Sequence, residues 1–262
     1  MLLNLTVLFA MALSGPPPDL GAALHETLSL QYRVFDHLQR HCYVQRILQE
    51  EPGDDPGRKR EERLEEVCFR EGVPIYKQLV INGRPTGRKA EDPFPPPGNP
   101  EDWRKRVERV RETRKRDREL MGQVERAFRF QYVAESALEE RPVWVVDLVP
   151  RPEYQATSRA TEMLKHVAVR IWVDQETHHL AMLRARVESD FNIWGGLVAK
   201  VRRGGTFELR LKPFQGVWLP YFQELRWEIR IALVKNIGEH VRLERSDFRP
   251  QTSTAAGDGN PE

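Results

Sequence analysis

Residues 217–235 read VWLPYFQELRWEIRIALVK. Taking every second residue gives Val217, Leu219, Tyr221, Gln223, Leu225, Trp227, Ile229, Ile231 and Leu233, a set that is apolar except at Gln223. Glu224, Arg226, Glu228 and Arg230 fall between them. A period of two is the signature of a strand with one wet and one dry face. The run is about 17 residues, or roughly 55 Å, where about 5–6 residues is usual. Such length favours a strongly curved sheet, because twist and bulges let one strand cross a bent surface. The dry face must then be covered, either by the chain's own helices or by a ligand in a groove.

The strands before and after it follow the same rule. FRFQYVAES (128–136), VWVVDLVP (143–150), VAVRIWVD (167–174) and HLAMLRARVES (179–189) read as successive strands, the last with Ala181, Leu183, Ala185 and Val187 on one face. TFELRLKPF (206–214) sets Phe207, Leu209 and Leu211 against Glu208, Arg210 and Lys212. A bend with glycine pairs at 195–196 and 204–205 separates these two strands, and Gly238 reads as a turn into EHVRLERSDF. So many one-sided strands in succession predict a sandwich or a curled, barrel-like antiparallel sheet.

The first half holds the helices. MLLNLTVLFAMALSG suits the core of a secretory signal, although no Lys or Arg precedes it; an apolar first helix is the alternative. No cysteine stands directly after Gly15, so a lipid anchor is not expected, and no other segment is long and apolar enough to span a bilayer. A helix is expected from about Gly21 to Gln39. Cys42 and Cys68 flank the turn EPGDDPGRK; centring a hairpin on Asp55 sets them opposite each other, where a disulfide or two free thiols are both open. A strand from Pro74 to Ile81 ends in the turn Asn82-Gly83, and the Pro-rich DPFPPPGNP reads as a stiff spacer. Asn99-Pro100 opens a highly charged helix. Apolar stripes mark its two ends (Trp103, Val107, Val110 and then Leu120, Met121, Val124, Phe128), and residues 113–118 have no apolar side chain. The last dozen residues, 251–262, read as a disordered tail.

The strand with Trp172-Val173-Asp174 before a tight turn, Trp218-Leu219-Pro220 opening the long strand, and the final Ser246-Asp247-Phe248 resemble the outer-membrane lipoprotein-sorting proteins of the LolA/LolB-like fold. More particularly, they resemble an exported bacterial branch with a charged helical insertion. The resemblance covers residues 128–250. It implies an α+β fold, mainly β: a curved antiparallel sheet forming an unclosed β-barrel, its concave apolar face covered by helices. In those carriers that face receives lipoprotein acyl chains. This chain departs from them in length and in the insertion at about 87–126. No carrier's ligand contacts are transferred to it. The expected organisation is a signal peptide (1–15), one half-barrel domain (16–250) and the tail.

Catalytic signatures are missing from the sequence: it contains no GxxxxGK[ST], GxSxG, HExxH or CxxC. His37 and His41 have a helical spacing of four but no third ligand, and the adjacent His178 and His179 point to opposite faces of a strand. Asp174, Glu176 and Asp190 read as solvated turn residues. In the charged helix Glu101–Lys105, Asp102–Arg106 and Glu112–Arg116 have the order that favours pairing, and a net charge of +2 gives no case for nucleic acid. The expectation is a non-enzymatic, periplasmic carrier with no cofactor or metal. It would hold a lipid or acyl chains through Ala181, Leu183, Phe207, Leu209, Leu219, Leu225, Trp227 and Ile229. The alternative is an envelope interaction protein that docks a partner or a membrane surface through the charged helix.

Overall fold

In the first half, helix α1 (Leu20–Leu38) leads into β1 (His41–Glu50), β2 (Arg60–Arg70), β3 (Val73–Ile81) and β4 (Arg84–Pro85). Helix α2 (Pro100–Gly122) and the single turn α3 (Val124–Ala127) follow. The second half contains β5 (Phe128–Leu138), β6 (Arg141–Pro150), the short α4 (Arg159–Glu162), β7 (Val167–Asp174) and β8 (Leu180–Val187). It continues with β9 (Phe191–Ile193), β10 (Ala199–Val201), β11 (Thr206–Phe214), β12 (Val217–Ile231) and β13 (Lys235–Pro250). The structure, a computed structural model, describes residues 19–51, 59–89, 91–96, 98–193, 199–231 and 235–251. The leader at 1–15, the glycine pair at 195–196 and the tail beyond Gln251 lie outside the described residues.

Among the described residues, all thirteen strands belong to one sheet in the order β4-β3-β2-β1-β13-β12-β11-β8-β7-β6-β5, with β9 and β10 attached beside β12. The last strand joins the two halves, pairing antiparallel with β1 on one side and β12 on the other. β4 and β5 remain as edges, so the barrel is unclosed, as the family resemblance implied. Both edges resist further pairing. β4 is two residues long and ends in a proline, and β5 is bulged at Val133, between the paired Tyr132 and Ala134.

The outer face of the sheet is charged. Asp147, Arg170, Arg184, Glu208, Glu224 and Arg242 are register neighbours across six strands. Arg170–Asp147 and Arg184–Glu208 each close to 2.6 Å. A charged outside around an apolar inside is the reverse of a membrane-spanning barrel.

The hairpin register is the expected one. Tyr43 faces Val67 and Val44 faces Glu66, and the next pair, Cys42 and Cys68, is a disulfide. Successive residues of β1 and β2 serve opposite faces. Tyr43, Val67 and Phe69 meet Leu38 of α1, while Cys42 and Cys68 meet Trp103 and Val107 of α2. Helix α2 therefore begins on the outer face and ends on the inner one. The Asn99 side chain caps it by accepting from Glu101 N at 2.8 Å, and Pro100 fills the first turn. The apolar-free middle crosses the β2–β3 turn, where Arg114 lies against Gly72, hydrogen-bonds Gln39 and covers the Phe35 ring. Of the three helical ion pairs expected, Glu101–Lys105 forms at 2.8 Å. Arg106 instead donates to Pro74 O and lies over Trp103.

Replacing both cysteines by serine removes the clamp beneath α2. It is expected to lower the unfolding free energy by about 2–4 kcal/mol, read by urea denaturation. Unchanged stability would show that the bond contributes nothing to holding this hairpin.

Candidate functional site

The inner face of β7, β8, β11 and β12 is built in rows. Ile171, Leu183, Leu209 and Gln223 are register partners from strand to strand, as are Val169, Ala185, Phe207 and Leu225. Opposite this wall stand Leu28 and Gln31 of α1 and Leu120 and Met121 at the end of α2. The helices do not fill the space, and a cavity of about 600 Å³ remains. Its walls are part-exposed at Leu183, Phe207, Leu209 and Leu225, while Val143, Val146 and Leu211 in the adjoining core are buried. Leu and Phe side chains in the middle of a sheet stay part-exposed only when nothing packs on them. Among the polar residues of the lining are Thr27 and Gln31 on the α1 side. The Thr27 hydroxyl lies 2.8 Å from Ala23 O and 2.7 Å from His178 O. Gln31 Nε2 is buried and has no hydrogen-bond partner among the described residues.

Beyond β12 polar groups join Val241, Leu243 and Ile47 on the inner face. Gln45 donates to Glu65 at 3.0 Å, and Arg245 donates to Gln223 at 3.3 Å. At the end of the wall Trp227 is paired with Glu239. Its indole N–H donates to one Glu239 oxygen at 3.1 Å, and Gln49 donates to the other at 2.7 Å. At the same end of the sheet a second recess of about 540 Å³ opens, and its Glu50, Arg226, Glu228 and His240 belong to the outer-face rows. The end of β12 separates the two, with Trp227 on the inner side and Arg226 on the outer.

No family model and no curated protein matches the sequence. Solved structures do. One is a domain from Vibrio parahaemolyticus provisionally classed as an outer membrane lipoprotein-sorting protein (11% identity, 88% of this chain and 94% of that one, TM-score 0.36). A LolA superfamily protein from Nitrosomonas europaea is another (12%, 88% and 93%, 0.28). A third is the lipoprotein LppX of Mycobacterium tuberculosis (11%, 91% and 99%, 0.31). The first two carry the family names that the strand order and turn residues resemble. At these identities and TM-scores the likeness does not extend to a ligand, and what the chain binds must be argued from the cavity.

Of the residues expected to face a ligand, Leu183, Phe207, Leu209, Leu225 and Trp227 line the cavity. Ala181, Leu219 and Ile229 do not, and bulges displace the first two. Val173 pairs with Leu180 and Trp172 with Met182, so Ala181 is the extra residue; it is buried in the core, and Leu180 reaches the cavity. Likewise Arg210 pairs with Phe222 and Leu211 with Pro220, leaving Tyr221 over. That shift puts Leu219 out of phase with Leu225, and it is wholly buried with Leu38, Tyr43 and Phe248. Ile229 pairs with Val201 of β10, which lines the cavity in its place. The β7 side chains Val167, Val169 and Ile171 were missed, although their alternation in VAVRIWVD was there to be read.

The other sequence candidates are structural. His41 Nδ1 lies 2.7 Å from His37 O, His178 pairs with Glu26, and His179 stacks on Trp218. No group of three potential metal ligands occurs among the described residues, and no described helix is long and apolar enough to cross a membrane. Glu176 is exposed, as expected, but Asp174 is not a solvated turn residue. It is wholly buried, bound by Arg141 at 2.6 and 3.0 Å and by Thr177. Burial pushes the Asp174 carboxyl up, but the hydrogen bonds from Arg141 and Thr177 outweigh burial and hold it below the usual carboxylate range. Asp190 is likewise engaged, accepting from Arg203 N at 2.7 Å with Lys200 and Arg202 nearby.

Two measurements follow from this geometry. Leu209→Trp is expected to fill part of the cavity and reduce binding of an apolar fluorescent dye several-fold without unfolding the protein; undiminished dye binding would place the dye elsewhere. Because the folded Asp174 pKa is depressed, its stabilisation is complete above the unfolded value of about 4 and is lost as pH falls through the lower folded value. Asp174→Asn should therefore lower stability at neutral pH and flatten its fall below about pH 4; an acid limb as steep as the parent's would contradict this role.

Proposed function

We propose that the protein is a non-enzymatic binding protein or carrier for an apolar ligand, a lipid or a lipoprotein acyl chain, working in the bacterial envelope after export. The observation that carries the reading is the unfilled, apolar-walled cavity between the sheet and the ends of α1 and α2. Leu183, Phe207, Leu209, Leu225 and Trp227 are the proposed ligand contacts. An apolar cavity within the usual range of ligand-site volumes gains its affinity by removing hydrocarbon from water, which requires neither metal nor cofactor. The signal-like first residues and the Cys42–Cys68 disulfide support an oxidising, exported location. A docking arm made of α2 has less to recommend it. Trp103, Val107, Arg106 and Arg114 are engaged with the chain's own hairpin and α1.

Affinity should follow chain length. For a series of saturated fatty acids, each added methylene is expected to tighten binding about fourfold, the factor for ~0.8 kcal/mol, until the cavity is full. Leu225→Arg should abolish this trend, while Glu228→Ala should leave it intact. Affinity independent of chain length would remove the cavity as the binding site.

A further inference from the structure

We infer that the cavity takes one hydrocarbon chain and is indifferent to the head which that chain carries; this rests on the reading of the apolar cavity as a binding site. The first ground is the direction of the polar side chains around it. Arg186, Thr206 and Arg226 flank the space, and the register makes them neighbours in one row. That row lies two residues along from the outer-face Arg184, Glu208 and Glu224, with no bulge between. Side chains two apart on a strand share a face, so all three leave on the far side of the sheet from the cavity. Arg226 is turned to Glu224 at 3.0 Å, and Arg186 to Glu188 at 3.7 Å.

On the α1 side the polar lining is Thr27, whose hydroxyl already lies 2.7 Å from His178 O, and the neutral amide of Gln31. Among the described residues no charged side chain faces the cavity. An ionised head drawn inside would lose its water and meet no opposite charge, a cost that one amide does not offset. A carboxylate, phosphate or ammonium therefore stays outside in water, whatever its sign. The second ground is capacity. A dry cavity of ~150 Å³ holds one benzene. At that density about 600 Å³ takes roughly two dozen carbons, so one palmitoyl chain fits and two do not. Affinity then comes from burying the methylenes of a single chain, with the same increment for each whichever head follows. A fatty acid, a lysolipid and one free chain of a larger molecule are equivalent to such a site.

Isothermal titration calorimetry of the full chain tests the inference, at about 0.15 M salt, where long-range surface charge is largely screened. Three palmitoyl probes are used below their micellar concentrations: lysophosphatidylglycerol, lysophosphatidylcholine and monopalmitoylglycerol, whose heads are anionic, zwitterionic and uncharged. All three are expected to bind one to one, with affinities that agree within about fivefold, well under the preference that a buried charged partner gives. Gln31→Leu, which removes the unpartnered amide, should leave that agreement intact. A wider spread among the heads, selective loss of one probe in Gln31→Leu, or two chains bound per protein would each overturn the inference while leaving the cavity reading intact. If none of the three binds, the cavity reading falls, and the inference with it.

Discussion

An antiparallel sheet with a charged outer face and an apolar inner face cannot leave the inner face in water. A closed barrel covers it by curling the sheet fully round. This sheet stops short, with β4 and β5 as separate edges. Helices must supply the cover, and two helices do not have the shape of a wide, curved wall. Helix α1 seals the parts of the face near its two ends, through Leu20, Ala23 and Leu24 at one end and Leu38 at the other. Between them, opposite Leu183, Leu209 and Leu225, the cover is incomplete. The cavity is the remainder of an imperfect fit between helices and a bent sheet.

Helix α2 shows what holds that cover in place. Its sequence of apolar stripe, charged middle and apolar stripe maps onto an outer-face contact, a crossing over a hairpin turn and an inner-face contact. Near its start, the disulfide and Phe94 of the connector complete the outer cluster. Beneath Phe94 the buried Lys77 is paired with Glu66 and donates to Asp92 O. Burial pulls the Lys77 ammonium below its usual range, while Asp92 and Glu91 act to raise it. Buried pairs of this kind add little net stability but fail badly when one partner is lost, which fits a fixed anchor for the connector.

Much of this was legible in the sequence because it follows from local rules. Alternation located the strands, the turn-forming residues of EPGDDPGRK pointed to the β1–β2 register and so to the cysteine pair, and Asn99-Pro100 marked the start of α2. The failures have one kind of cause. A bulge changes the face of every residue beyond it without leaving a mark on composition, so Ala181 and Leu219 were assigned to the wrong surroundings. Gly238 looked like a turn but lies inside β13 opposite Glu228, because backbone pairing on both neighbours outweighs the residue's own preference. The Pro-rich connector read as a stiff spacer, since nothing local says that Phe94 will find a partner. Asp174 depends on Arg141, 33 residues away, and no short pattern reveals such a pairing.

The central claim is that the gap under the helices is occupied in the working protein. Native mass spectrometry of the protein, purified gently from the cells that make it and paired with organic extraction of what it carries, addresses this directly. The account predicts a mass above that of the polypeptide, lost on extraction and recovered as a lipid or acyl-bearing species, and absent from a Leu225→Arg variant. A protein that arrives empty, and stays empty after incubation with envelope lipids, would contradict it and return the apolar wall to the status of loosely packed core.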